Sequence, residues 1–345
     1  MIRERTVFVV GAGASTNFNL PTGAVLKADI AALMKHSLSD PWHLKGNFER
    51  IFNQLKRAVA DKRLDLDDIN DALRAAKEIR EAMPLAQSID NYLDAHRASS
   101  ITNVIGKMAV CQAIVAREGT STLTGPDPGN IYNTFNFARS ELTWLNAFLR
   151  KVTEGVPVAD VLSLFQNVAI VTFNYDRCIE QFLYYGLQRY YRLSEPDVIA
   201  LIDTLPLVHV YGRVGRLPWQ IGNDPEIAYG DISAAKLFDA AQHMQTFTEI
   251  SSSGTAKLEV NAAFSRATRI VFLGFSFQEQ NVAVLPDLLV DASIYGTALG
   301  MSDTNISAVE AKLTNQLSGA GIVSSVVLDK IGAEAFIDNY WRVIE

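Results

Sequence analysis

The side chains best placed to do chemistry in this chain are an amide, a carboxylate and an imidazole. Asn174 and Asp176 follow the apolar run Val168-Ala-Ile-Val-Thr172, and polar groups at the carboxyl end of a buried strand face the ligand crevice of an open α/β sheet. His209 stands in Leu207-Val-His209-Val-Tyr-Gly212, a second short apolar run that ends in glycine. Asn174 and His209 are separated by about one strand-helix-strand unit of roughly 30 residues, which puts them side by side on neighbouring strands. An amide can hold hydroxyl groups and water, and a neutral imidazole can take a proton from either. Each residue also has a plainer alternative: Asp176 as a cap for the following helix, His209 as a satisfied core side chain. The other histidines, His36, His43, His96 and His243, show no spacing that suggests metal ligation.

A third feature is the turn Gly11-Ala12-Gly13-Ala14-Ser15, which directly follows the β-branched, apolar run at residues 6–10. Such a turn lets backbone N–H groups approach a diphosphate at a helix N-terminus, although many strand-to-helix turns need glycine only for their geometry. Thr16 stands where GxGxxG would have its third glycine. A dinucleotide dehydrogenase also needs a second strand ending in an acid roughly 20 residues beyond the glycines. Residues 30–36, Ile-Ala-Ala-Leu-Met-Lys-His, instead read as continuing helix, so the dehydrogenase class loses its main support.

These residues must be positioned by a larger frame. Apolar, β-branched runs at 6–10, 168–172, 207–210, 269–273, 293–300 and 321–328 predict strands, with helical stretches between most of them. Their alternation after a glycine turn predicts a doubly wound, mostly parallel Rossmann-like sheet. Residues 42–156 carry almost no strand signal and read as helices at 48–61, 66–82, 88–96, 101–117 and 137–152, divided by a Gly/Pro/Thr-rich loop at 119–129. The expected organisation is therefore a catalytic domain of residues 1–41 and 157–345 interrupted by an α-helical insertion at 42–156.

Composition narrows the function classes. With 48% hydrophobic residues over 345 positions the chain can bury a substantial core. A net charge of -7 and the lack of any long Lys/Arg cluster make nucleic acid a poor partner. The two cysteines, Cys111 and Cys178, lie far apart without a CxxC companion, so neither a disulfide framework nor a tetrahedral zinc site is readable. The opening residues hold too short an apolar run for a signal sequence or membrane span. A reducing, cytoplasmic setting is expected.

Taken in order, Gly11 to Ser15, Leu20-Pro-Thr22-Gly23, Thr172-Phe-Asn174-Tyr-Asp176, His209-Val-Tyr-Gly212 and Gly274-Phe-Ser276 resemble the sirtuin family across the whole chain. Within that family the pattern looks like the bacterial NAD+ hydrolases of anti-phage defence. Such proteins often carry a Ser-Ile-Asp helix start, matched by Ser88-Ile89-Asp90, whose bland alternative is an ordinary N-cap. The resemblance implies a sirtuin-type sheet in which Gly11, Ala12, Gly13 and Ser15 contact the NAD diphosphate and nearby ribose, with Thr22 among the cofactor-binding residues. Asn174 and Asp176 would occupy the position of the family's Gln-Asn-Ile-Asp motif, and His209 that of its catalytic histidine. Gly274 and Ser276 would hold the adenosine side, with Asn281 beside them. Two cysteines cannot build the four-cysteine zinc module of the deacylase branch, and Asn19-Leu-Pro-Thr-Gly23 lacks the Phe and Arg that branch carries after its glycine loop.

The resemblance thus implies an NAD+ glycohydrolase with Asn174 and His209 as catalytic residues, NAD+ as substrate and no metal. Its expected role is a regulated, homo-oligomeric effector of anti-phage defence that acts by NAD+ depletion, controlled by a separate ATPase or nucleotide-sensing protein. The alternatives are an NAD+ or ADP-ribose sensor without turnover and an NAD-dependent protein deacylase.

Overall fold

The computed structural model describes residues 2–40, 43–66, 69–125, 135–233 and 236–345. The expected boundary between residues 41 and 42 and the later part of the 119–129 loop lie outside them. The chain divides into two compact units, one of Met1–Asn19, Thr122–Val210 and Ile250–Glu345, the other of Leu20–Ser121 and Tyr211–Glu249.

Eight strands are described: β1 Thr6–Val10, β2 His36–Asp40, β3 His43–Gly46, β4 Val168–Thr172, β5 Leu207–His209, β6 Arg269–Leu273, β7 Ala292–Thr297 and β8 Val323–Asp329. Six of them form the sheet of the first unit, in the order β5-β4-β1-β6-β7-β8, and every pairing in it is parallel. Counting only these strands along the chain, the order is 3-2-1-4-5-6, that of the doubly wound Rossmann fold, whose ligand crevice opens where the winding reverses. That reversal falls between β1 and β6. All residues of β1 and β4 are buried, as a parallel sheet covered on both faces requires.

The carboxyl ends of four strands are level. Val10 is abreast of Thr172 and of Leu273, and Thr172 is abreast of His209. The placement of Asn174 and His209 on neighbouring strand ends, expected from their spacing, is therefore realised. Just past this row the turn after β1 meets the turn after β6 backbone to backbone: Gly11 N–H donates to Leu273 O and Gly13 N–H to Gly274 O, both at 2.9 Å. A Cβ on Gly274, whose φ is +59°, would sit 2.0 Å from Ala14 N, and one on Gly11 would sit 2.6 Å from Gly274 O. Side-chain-free backbone on both partners is what permits this approach.

The second unit is mainly helical. Its long helix Ser100–Glu118 is buried along much of its length, and the helices Gly23–Leu33, Ile69–Ala82 and Leu237–Gln242 pack on it. Two expectations need correction. The helix after the glycine turn does not run through residues 30–36 but stops at Leu33, and β2 begins at His36 and pairs antiparallel with β3. The helix closes on Met34, whose N–H returns to Ile30 O at 3.0 Å, and the chain leaves it before β2. A strand does follow the first helix, then, but it belongs to a separate two-stranded sheet; the neighbours of β1 are β4 and β6. In the first unit, the helix expected over 137–152 is split into a short 3-10 turn, Phe137–Ser140, and the helix Trp144–Thr153. Thr143 separates them, its hydroxyl donating to Ser140 O at 2.7 Å and accepting from Asn146 N as an N-cap.

Two glycine replacements should part company in urea unfolding. Gly274→Ala must force the β1 and β6 turns apart and is expected to cost roughly 2 kcal/mol or more. Gly23→Ala, with nothing within 4 Å of the added methyl, is expected to be neutral or stabilising by up to about 1 kcal/mol.

Candidate functional site

The site is assembled from the first turn after β1, the segment after β4 with the opening of the helix Cys178–Tyr191, and the end of β5. Ser15 closes the glycine turn and is fully buried. Its Oγ accepts from Asn174 Nδ2 at 2.9 Å, and its hydroxyl hydrogen-bonds the Asp176 carboxylate and lies 3.5 Å from Cys178 Sγ. Asp176 Oδ1 also accepts from Cys178 N, the first amide of the helix, at 3.2 Å. The capping alternative for Asp176 is thus realised together with its link to Ser15.

His209 is held from two sides. Its Nδ1 lies 3.0 Å from the Asn174 carbonyl and its Nε2 lies 3.0 Å from Glu180 Oε1. A carbonyl can only accept, so Nδ1 carries a proton, and the contact between Nε2 and Glu180 Oε1 needs a second proton on one of those two atoms. The imidazole is 7% exposed and the Glu180 side chain 1%. His209 is satisfied, as the plainer alternative supposed, but by polar partners.

Burial dominates the electrostatics. Desolvation lifts the Asp176 carboxyl above the ordinary aspartate range, against the opposing hydrogen bonds from Cys178 and Ser15 and the nearby His209. Desolvation, with Asp176 as the next largest influence, also pushes the Cys178 thiol well up. A low-pKa thiolate nucleophile is therefore not what this cysteine offers.

The other residues expected to bind cofactor are less closely gathered. Gly11 and Gly13 have already donated their N–H groups to β6 and its turn, so the glycines serve strand-to-strand packing whatever else they touch; Ala12 and Gly13 form the accessible part of the turn. Gly274 N donates to Thr297 Oγ1 at 2.8 Å. Ser276 is exposed and Asn281 half-buried in the short helix Glu279–Val282. Between them Phe277 takes φ +53°, a left-handed conformation costly for a bulky residue, braced by ring contacts with Phe272 and Phe275. Thr22 belongs to the second unit, where its hydroxyl caps the helix Gly23–Leu33 by accepting from Val25 N. Ser88 likewise caps the helix Ile89–Ala95, accepting from Asn91 N at 3.0 Å.

Sequence reasoning missed Cys178 and Glu180. The available signal was their place in the first turn of the helix that follows Asp176, where side chains return toward the strand ends. Among the described residues no group of three His, Cys, Asp or Glu side chains is arranged to hold a metal, and no helix is long and apolar enough to cross a membrane.

Fold and strand-end cluster together define a doubly wound, Rossmann-like α/β protein, compatible with binding a nucleotide or cofactor and consistent with an enzyme of that superfamily. No protein-family model matches the chain and no curated protein is similar to it.

Two substitutions probe the cluster. Ser15→Ala leaves the Asn174 amide and Asp176 short of a buried partner and is expected to cost about 1–3 kcal/mol in denaturant unfolding. Asp176→Asn keeps an acceptor for Cys178 N and removes the buried charge. Because the folded carboxyl lies above its ordinary value of 3.8, the penalty is absent below 3.8, grows as pH rises from there toward the folded value and is complete above it. Asp176→Asn should raise the melting temperature at neutral pH, with the gain fading below about pH 4.

Proposed function

We propose that this protein is an NAD+ glycohydrolase that uses water to break the bond between nicotinamide and ribose, releasing nicotinamide and ADP-ribose. The observation that carries the proposal is the convergence, at the carboxyl ends of adjacent strands, of the Asn174 amide with an imidazole whose Nδ1–H is fixed on the Asn174 carbonyl. Cleavage of this bond builds oxocarbenium-like charge on the sugar, so a site needs to orient the ribose and one nucleophile and to limit bulk water. In this scheme the Asn174 amide binds the ribose hydroxyls and the attacking water, and His209 Nε2 takes a proton from one of them. The present partners of those groups, Ser15 and Glu180, are then exchanged for substrate. NAD+ depletion in anti-phage defence, homo-oligomers and control by a separate ATPase or nucleotide-sensing protein are proposed from the resemblance to the defence sirtuins.

The engagement of the Asn174 amide by Ser15 and of both His209 nitrogens favours one second reading, a module that binds NAD+ or ADP-ribose without turnover. A deacylase is the weaker alternative, since the chain has only two cysteines. Incubation with NAD+ and an acetyl-lysine peptide separates the three: free ADP-ribose marks the hydrolase, acetyl-ADP-ribose the deacylase, and binding without product the sensor. General-base assistance is worth about 10²- to 10⁴-fold, so folded His209→Ala should lose that much NAD+ cleavage and Asn174→Ala a comparable amount. Wild-type rates in both variants would sink the proposal.

A further inference from the structure

The helix Cys178–Tyr191 opens at the strand-end cluster and runs for 14 residues, which at about 1.5 Å per residue puts its far end roughly 20 Å away. There Gln188, Arg189, Arg192 and Leu193 line a cavity of about 490 Å³, a volume in the range of small-molecule sites. Arg189 lies in the last helical turn. Arg192 ends the helix with φ +55° and ψ +40°, its N–H returning to Gln188 O. That left-handed position usually goes to glycine or asparagine, and a larger side chain there is strained. Leu193 N–H also donates to Gln188 O, at 3.2 Å, so the helix is closed by backbone alone and the Arg192 guanidinium takes no part in closing it.

Among the described residues neither guanidinium has a hydrogen-bond or ion-pair partner. The carboxylates next along the chain are committed elsewhere: Asp197 accepts from the Ser194 hydroxyl at 2.5 Å, and Glu195 is hydrogen-bonded by Tyr184. Two cations that line one cavity without a counter-charge repel each other, and an anion between them relieves that repulsion. A helix C-terminus favours a nearby cation, which accounts for Arg189. It gives no reason for a second arginine to stand in a strained conformation beside the same cavity.

We propose that Gln188, Arg189 and Arg192 form a binding site for a phosphate-bearing small molecule, separate from the strand-end cluster. Guanidinium groups meet phosphate oxygens with parallel N–H donors, the Gln188 amide adds a donor and an acceptor, and Leu193 supplies an apolar wall. The cavity is larger than one phosphate group fills, so the ligand carries an organic portion of about nucleotide size. This site stands whether or not the protein cleaves NAD+, because no step of that reaction enters the argument.

The test is calorimetric titration of the full chain with inorganic phosphate, AMP and adenosine, comparing wild type with Arg189→Ala and Arg192→Gly. Both arginines are exposed, and circular dichroism checks that the variants fold. Wild type is expected to bind AMP more tightly than inorganic phosphate, and adenosine least. Each substitution should weaken AMP binding about 10- to 100-fold, the worth of one charge-assisted contact. Glycine relieves the left-handed conformation at position 192, so without ligand Arg192→Gly should melt at or above the wild-type temperature; a clear drop would mean that the arginine serves the fold and would overturn its part in the site. AMP also suits a Rossmann crevice, so Asn174→Ala is titrated alongside. AMP binding lost in Asn174→Ala but kept in both arginine variants belongs to the strand-end cluster and overturns the proposal, as does a wild type that binds adenosine as well as AMP or binds neither AMP nor phosphate. AMP binding kept in Asn174→Ala and lost in the arginine variants supports it.

Discussion

The carboxyl edge of the sheet depends on a contact that involves no side chain, the meeting of the turn after β1 with the turn after β6. Gly274 takes a left-handed conformation, and its carbonyl receives the Gly13 N–H at 2.9 Å. This contact holds the first turn in place at the point where the winding of the sheet reverses. It also sets where Ser15 emerges, two residues after Gly13, and Ser15 in turn receives the Asn174 amide and hydrogen-bonds Asp176. A chain of short links thus runs from the β6 turn through the glycine turn to the end of β4, and through the Asn174 carbonyl to His209 on β5.

The polar groups along this chain are not where stability alone would put them. Asp176, Cys178 and Glu180 are each nearly excluded from solvent, and Asp176 is held above the ordinary aspartate range chiefly because it is desolvated. An apolar core of similar volume avoids that penalty. Buried, mutually hydrogen-bonded titratable groups at strand ends are the pattern that binding and catalytic sites produce. The left-handed Phe277, in the turn that follows Gly274, adds backbone strain to the same edge of the sheet.

The central strands were legible because β1 and β4 are buried on both faces and so appear as continuous apolar runs with abrupt polar ends. Val168–Thr172 followed by Asn174 is the clearest case. Strand order was not legible from any one run, yet the spacing of Asn174 and His209 was enough to make β4 and β5 neighbours. Glu180 escaped notice because a carboxylate in a first helical turn is ordinary in sequence, and only the fold shows that it faces an imidazole. The β2–β3 hairpin was lost for a different reason: its strands are short and polar, with no apolar alternation to mark them. The return of residues 211–249 to the helical unit leaves no local signature at all, since it is decided by packing between segments distant in the chain.

That return has a mechanical side. The backbone passes between the two compact units at four places, after Asn19, Ser121, Val210 and Glu249. Two of those crossings lie within a few residues of the chemistry, one shortly after Ser15 and the other immediately beyond His209. Tension applied through the helical unit at either crossing would reach the serine that holds the amide, or the strand that carries the imidazole, along covalent bonds alone. Because the helical unit is threaded from two separate stretches, cutting out one contiguous piece would leave the other behind as a dangling remnant.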